Sequence, residues 1–288
     1  MLHLEYKLKK ASDYEAQGKY LHAIQIYTEI IAESPEHTLS YIKLASLYDK
    51  MRNFNASVKL LKHYIANVSD DSEIRLYLGQ MLIKYSLWDE AIEALSIFNP
   101  EEHPIHFFFL GYSYFMLKEF EIARINFQNY LEKSTSTEFH FEAYIYQAKI
   151  EIELQNFDEA LKAVKQAEEL FSNSWEVHLL YGIIFYSKGM HFHAATSIEK
   201  ALKLNNKEVS LHEWAGKAYL QLGDYQSAEK HLSEYVSNAD ASSEAYTCLA
   251  LACMNTQRLK DAGSYFELAL NLDPNNQVAL EGKKKCKP

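Results

Sequence analysis

The histidines of this sequence are candidates for chemistry, because imidazole binds metal ions and transfers protons near neutral pH. His191 and His193 are two residues apart, a spacing that points helical side chains to different sides, and no third ligand is evident. His103 and His106 flank Pro104 and have no carboxylate or cysteine partner at metal-ligand spacing. The sequence therefore predicts no metal site.

The three cysteines, Cys248, Cys253 and Cys286, form neither a Cys-x-x-Cys pair nor an even-numbered disulfide framework. We expect reduced thiols, and we interpret Cys248 and Cys253 as small buried apolar side chains rather than nucleophiles. The sequence also lacks Gly-x-Ser-x-Gly, a glycine-rich phosphate loop and His-Glu-x-x-His. These observations predict a protein that is not an enzyme and uses no cofactor.

Composition restricts both the fold class and the class of partner. The 288 residues include only 9 Gly and 5 Pro, too few for the many tight turns of a β architecture, which predicts an all-α chain. The formal net charge of −10 opposes binding to phosphate backbones, so we expect no nucleic-acid partner. The absence of an 18-residue apolar run or a signal-like start indicates a cytoplasmic protein without membrane insertion.

Small residues recur along the chain in two columns with a period of about 34 residues, which calls for a repeat architecture. The first column is Ala11, Ala45, Gly79, Gly111, Ala148, Gly182, Gly216 and Ala250. The second is Ala23, Ser57, Ala91, Ala123, Ala160, Ala194, Ala228 and Ala262. Packed helices need small side chains where their axes approach most closely, so the columns predict helix pairs throughout.

A turn separates the two columns in each repeat. Gly18, Asn53, Asn156 and Gly223 stand in such turns, and Gly and Asn tolerate the positive φ that ends a helix. An aromatic residue then begins the second helix: Tyr20, Phe54, Trp88, Phe120, Phe157 or Tyr225. Each repeat is therefore predicted to be a helical hairpin.

The pattern resembles the tetratricopeptide repeat. The last repeat carries the resemblance best, at Tyr246, Leu249, Ala250, Ala262, Phe266, Ala269 and Pro274. The resemblance implies one right-handed α-α superhelix over residues 1–288. Its eight repeats would span 4–37, 38–71, 72–103, 104–140, 141–174, 175–208, 209–242 and 243–276, with a C-terminal cap at 277–288.

The regular spacing is broken in two places. The second helix of repeat three is expected to stop early, at Phe98-Asn99-Pro100, because proline removes a backbone donor and disfavours helix before it. Repeat four follows 32 residues after repeat three, and the segment around 132–141 extends the next spacing to 37. We expect the stack to be least regular around Pro100 and Pro104.

The resemblance also implies that the first helices line a concave groove that binds peptides or partner segments. Two family specialisations are not predicted, because neither the Lys, Asn and Arg of a carboxylate clamp nor an asparagine ladder stands at the groove positions. The segment 107–117 carries no charge, and Phe108, Phe109 and Tyr112 should project into the groove. The predicted groove residues are Tyr77, Phe108, Phe109, Tyr112, Tyr146, Lys149 and Trp214.

Two alternatives to a bound partner segment remain open for the apolar groove residues: packing against the irregular segment 97–104, and self-association. Glutamates near the starts of first helices either complement the helix dipole, form an acidic rim to the groove, or do both. They are Glu73, Glu142, Glu176 and Glu244.

The function predicted from the sequence is that of a non-catalytic scaffold or adaptor. It would bind a protein or peptide segment with apolar anchors, and the acidic rim would favour basic neighbours of those anchors. The rival hypothesis is a structural protein that assembles with copies of itself.

Overall fold

The computed structural model describes residues 2–97 and 103–286, which form seventeen α-helices and no β-strand. The prediction of an all-α chain is confirmed. None of these helices combines the length and the apolar content needed to cross a bilayer. The chain divides into two compact units, Met1–Ser136 and Thr137–Pro288, called unit 1 and unit 2 below.

Unit 1 contains eight helices, which pack as four consecutive hairpins. They are α1 (Leu2–Ala16), α2 (Tyr20–Glu33), α3 (Thr38–Lys50), α4 (Phe54–Asn67), α5 (Ser72–Lys84), α6 (Trp88–Leu95), α7 (Ile105–Met116) and α8 (Phe120–Lys133). Unit 2 contains four further hairpins and a final helix. Its helices are α9 (His140–Glu153), α10 (Phe157–Leu170), α11 (Trp175–Ser187), α12 (His191–Leu204), α13 (Ser210–Leu222), α14 (Tyr225–Asn238), α15 (Ser243–Asn255), α16 (Leu259–Leu272) and α17 (Gln277–Lys285).

The two columns of small residues lie where the helices of each hairpin cross, and all sixteen members are buried. In the second hairpin, the Ser57 hydroxyl donates a hydrogen bond of 2.6 Å to the carbonyl of Ala45, joining the two columns directly. A Cβ atom added to Gly182 would overlap the Ile198 side chain of the partner helix. Close helix approach therefore explains the small residues, as the sequence predicted.

Every hairpin turn contains one residue with positive φ, between 58° and 77°. These residues are Gly18, Arg52, Ser86, Lys118, Gln155, Gly189, Gly223 and Gln257. The expectation for Gly18 and Gly223 is confirmed, but Asn53 and Asn156 have negative φ because they are the N-cap residues of the second helices. All six aromatic residues assigned to the start of a second helix do begin one.

The second helix of the third hairpin, α6, has only 8 residues, whereas the other second helices have 14. The helix is therefore shortened as predicted, but it ends at Leu95, three residues before the predicted stop at Phe98. Pro100, which we predicted from the sequence to cause the early end of this helix, lies outside the described residues. Pro104 immediately precedes α7 as its N-cap residue.

First helices of successive hairpins contact each other within each unit. In unit 1 the contacts join α3 to α5 and α5 to α7, and in unit 2 they join α9 to α11, α11 to α13 and α13 to α15. We call the surface of these helices the first-helix face of the unit. The prediction of one continuous superhelix over residues 1–288 concerns how the two units join, and it stays a prediction.

Candidate functional site

The first-helix face of unit 1 differs from the sequence prediction at Phe108. This side chain is only 6% exposed, and its ring packs edge-on against Phe127 and Tyr130 of α8, with centroids 5.7 and 5.5 Å apart. The expectation that Phe108 projects into a groove is wrong, because α7 turns this residue toward its partner helix. Phe108 belongs to the hairpin core.

The other predicted residues of unit 1 are half-buried. Phe109 packs against the hydrophobic core that includes Leu78, and its ring lies 5.3 Å from that of Phe108. Tyr112 contacts Trp88, the first residue of α6, in an edge-on arrangement with centroids 5.8 Å apart. Tyr77 packs against the same core. Each therefore has a substantial role in packing.

Ion pairs link successive hairpins of unit 1. Lys50 pairs with Glu15 at 3.5 Å, and Lys84 pairs with Asp49 at 2.6 Å, so each lysine reaches an acid of the preceding hairpin. The Tyr85 hydroxyl also donates to Asp49, at 2.5 Å. Burial alone would raise the pKa of Asp49, but the hydrogen bonds from Lys84 and Tyr85 outweigh it and hold that pKa below its usual range. These contacts are structural links between repeats.

On the first-helix face of unit 2, Tyr146 and Lys149 lie one helical turn apart on α9. The Lys149 ammonium is 5.0 Å from the centroid of the Tyr146 ring, within cation–π range. Its nearest carboxylate belongs to Glu176 on α11, at 4.0 Å. Burial lowers the pKa of Lys149, and the charge of Glu176 opposes this only partly.

Trp214 and Lys217 repeat this arrangement on α13. The Lys217 ammonium lies 5.1 Å from the Trp214 ring and pairs with Glu213 at 2.8 Å and with Glu244 of α15 at 3.2 Å. Lys217 is 8% exposed, so its charge needs partners. Burial lowers its pKa, but the two carboxylates outweigh burial and raise it above the ordinary value.

N-capping serines fix the two glutamates that face these lysines. The Ser174 hydroxyl accepts hydrogen bonds from the backbone of Glu176 and Val177, and the Ser242 hydroxyl accepts one from Ala245. Glu176 and Glu244 consequently stand in the first turns of α11 and α15, where the helix dipole favours an anion. The carboxylates of Glu176 and Glu244 therefore both complement a helix dipole and pair with a lysine.

Tyr186 and Cys248 complete the surroundings of Trp214. The Tyr186 ring meets the Trp214 ring edge-on with centroids 5.7 Å apart, and both side chains are half-buried. Burial raises the pKa of the Cys248 thiol to about 11, so this thiol stays protonated at neutral pH and is a poor nucleophile. The group presents aromatic surface beside carboxylates.

Lys217, Glu213 and Tyr186 were not among the residues predicted from sequence. Lys217 stands at the same position of its repeat as Lys149, 68 residues later, so the repeat register could have found it. The pairing of Lys217 with Glu244 joins different hairpins, and it depends on how neighbouring first helices pack.

The histidines are placed in helices or beside them. His191 and His193 lie in the first turn of α12, and His103 lies 2.8 Å from the Ser72 hydroxyl through its Nε2 atom. His106 is buried on α7, and this burial lowers its pKa. Among the described residues, no three His, Cys, Asp or Glu side chains are grouped in a way that could hold a metal ion.

Solved structures with similar folds were found for most of the chain. Against the APC/C hetero-tetramer Cut9-Hcn1, the TM-score is 0.68 at 16% identity over 98% of this chain, which spans only 55% of that chain. Against a tetratricopeptide repeat protein from Parabacteroides merdae, the TM-score is 0.54 at 16% identity, with 99% of both chains covered. YrrB, described as a TPR protein with an unusual peptide-binding site, gives 0.51 at 17% identity, covering 68% of this chain and 97% of that one. At these identities the likeness shows the fold alone.

Family comparisons agree with the hairpin pattern in both units. One tetratricopeptide repeat model matches residues 147–208, 193–243 and 215–277, and a second matches residues 14–76. No curated protein sequence matches the chain. The two models together cover more than half of the sequence and include hairpins from each unit, and the chain therefore belongs to the tetratricopeptide repeat family.

Proposed function

We propose that this chain is a non-catalytic scaffold or adaptor that binds a partner protein segment on the first-helix face of unit 2. Tetratricopeptide repeat proteins generally mediate interactions between proteins, and neither matching family model describes an enzyme. The described peptide-binding site of YrrB is consistent with the same class of ligand, although that likeness concerns the fold.

The observation that carries the proposal is the group around Trp214. Its indole ring and the Tyr186 ring are half-buried, and Glu244 beside them has a side chain that is 70% exposed. Aromatic side chains that keep part of their surface open are frequent anchors of binding energy. An apolar anchor of the partner would contact the rings, while the adjacent carboxylates attract basic neighbours.

The proposal is tested by selecting displayed random peptides against the purified full chain and measuring the affinity of the selected peptides. Trp214→Ala should weaken binding at least about tenfold, because truncated aromatic anchors commonly cost about 2 kcal/mol. Phe192→Ala is the matched control, since Phe192 is 68% exposed but lies on the second helix α12. Circular dichroism checks that both variants keep their helices.

Failure to select any peptide, or equal loss of affinity in both variants, would contradict the assignment of this face.

Self-association is a second candidate function, favoured by exposed apolar residues on the last helices of unit 2. Leu268, Leu272 and Val278 are 42%, 58% and 52% exposed. Under that alternative, the mass measured by light scattering rises with protein concentration.

A further inference from the structure

Two lysines occupy equivalent positions on the first-helix face of unit 2 but have different electrostatic surroundings. Lys149 and Lys217 are 68 residues apart, and each ammonium lies over the aromatic ring three residues before it. Each lysine also faces a glutamate in the first turn of the next first helix. The difference between them lies in how well this charge is compensated.

Lys149 lacks a close acceptor. Within the described residues its ammonium donates no hydrogen bond, and the carboxylate of Glu176 is 4.0 Å away. The side chain is 37% exposed, so an incoming group can reach it. A partly buried ammonium without a hydrogen-bonded partner is stabilised by an added anion, which makes this position suited to a carboxylate of the ligand.

Lys217, by contrast, lies among more negative charge than its ammonium neutralises. Two carboxylates, Glu213 at 2.8 Å and Glu244 at 3.2 Å, surround one ammonium, which leaves this group with one excess negative charge. The lysine is almost fully buried, whereas the Glu244 side chain is 70% exposed. The accessible charge at this end is therefore negative, and it favours a basic side chain of the ligand.

Apolar surface on α11 separates the two charged groups. Ile183 and Tyr186 are half-buried there. Neither is charged at neutral pH: isoleucine has no ionisable group, and burial raises the pKa of Tyr186. Helix α11 contacts both α9 and α13, so two interhelical steps of roughly 10 Å each separate the charged positions. An extended chain covers about 3.3 Å per residue, so about six residues span this distance.

We infer that the first-helix face of unit 2 binds an extended segment of fixed charge polarity. An acidic group of that segment would lie at Lys149, and a basic side chain about six residues away would lie at Glu213 and Glu244. Apolar side chains between them would contact Ile183 and Tyr186. This inference rests on the segment-binding role proposed above, and it specifies the chemistry of the ligand and its orientation across the repeats.

The test uses random dodecapeptides displayed and selected against the full-length chain, and the selected sequences are analysed for the spacing of acidic and basic residues. The wild-type chain should enrich peptides with an acid and a base about six residues apart. Synthetic peptides with these two residues exchanged should bind about tenfold more weakly, because the charge-assisted contacts are lost.

Variants at each end separate the two contacts. Lys149→Gln should remove only the preference for an acidic peptide residue and leave the preference for a basic one. Lys149→Glu should replace the preference for an acidic residue with a preference for a basic residue. Glu244→Lys should remove the preference for the base. Lys162→Glu on α10 and Glu169→Lys on the same helix are matched controls, since both residues are exposed on a second helix and change the net charge equally.

Each outcome has a distinct meaning. If the wild-type chain enriches no peptide, the proposed function fails and this inference fails with it. If it enriches apolar peptides without charge polarity, or if the Lys149 and Glu244 variants enrich the same charge pattern as the wild type, only the polarity is overturned. The inference is supported if Lys149→Gln loses the preference for the acid, Lys149→Glu prefers a base instead, and Glu244→Lys loses the preference for the base, with unchanged preferences in the two controls.

Discussion

Gly182 and Gly263 are both helical glycines, yet replacing them with alanine is expected to change stability in opposite directions. A Cβ at position 182 would overlap Ile198, so Gly182→Ala should destabilise the chain by about 1 kcal/mol or more. At position 263 the new Cβ would lie 3.6 Å from the Cβ of Cys286, an ordinary contact. Gly263→Ala should therefore stabilise by about 0.5–1 kcal/mol, because alanine is the better helix former.

Urea unfolding followed by circular dichroism measures both effects. Both glycines lie in unit 2, on α11 and α16, so the two variants are compared within one compact unit. A Gly182→Ala variant as stable as the wild type would show that the helix crossing does not require glycine at 182, and destabilisation by Gly263→Ala would contradict the expectation for that position.

The small-residue columns could be predicted from sequence because close approach of two helices restricts residue size directly. Phe108 could not be placed in this way. It stands in a helix that is apolar on all sides, where residue type alone does not distinguish the partner helix from an open face. The structure resolves the ambiguity through the contacts of Phe108 with Phe127 and Tyr130.

At the scale of elements, α12, α13 and α14 meet at a pair of histidines, of which His231 is buried and His212 is half-buried. The Nδ1 atoms of His212 and His231 are 3.0 Å apart, so at least one of them must lack a proton to accept the hydrogen bond. His231 also stacks on Tyr219 and lies 3.4 Å from the carboxylate of Glu199 through its Nε2 atom. Burial lowers the pKa of His231, and the charge of Glu199 opposes this only partly.

This arrangement predicts an acid-sensitive contribution to stability. With the pKa of His231 lower in the folded chain than in the unfolded chain, the unfolded state binds more protons as pH falls below about 6.5. The free energy of unfolding should therefore decrease with falling pH in this window. In His231→Gln the loss between pH 7.5 and 5.5 should be smaller than in the wild type, as measured by urea unfolding.

Burial also lowers the pKa of His106, which is buried, and of His178, which is half-buried, so some pH dependence should persist in the variant. An unchanged pH dependence would show that His231 has the same pKa in the folded and unfolded chains.

The helix pairing of this region was predictable from the repeat period. The contact between His212 and His231 was not, because it depends on the rotation of α13 and α14 about their own axes.

At the scale of the whole molecule, repeat proteins need their terminal hairpins covered, because each hairpin buries its apolar surface against the next one. Helix α17 covers the last hairpin. Gly282 lies against the Phe266 ring so closely that an added Cβ would overlap it, and Ala279 is fully buried. The amide of Asn276 donates to Ser243 and Thr247, both at 2.9 Å, which holds the start of α17 on α15.

Deleting residues 277–288 is therefore expected to uncover Phe266 and its neighbours, and newly exposed apolar surface promotes association. The mass of the shortened chain in light scattering should rise with concentration more steeply than that of the full chain. Lys283→Gln is the control, since it removes the 3.4 Å ion pair with Glu267 but leaves Ala279 and Gly282 in place. If the shortened chain kept the full chain's mass at every concentration, exposure of this end would not be sufficient for self-association, and the assembly hypothesis would lose support against the binding role.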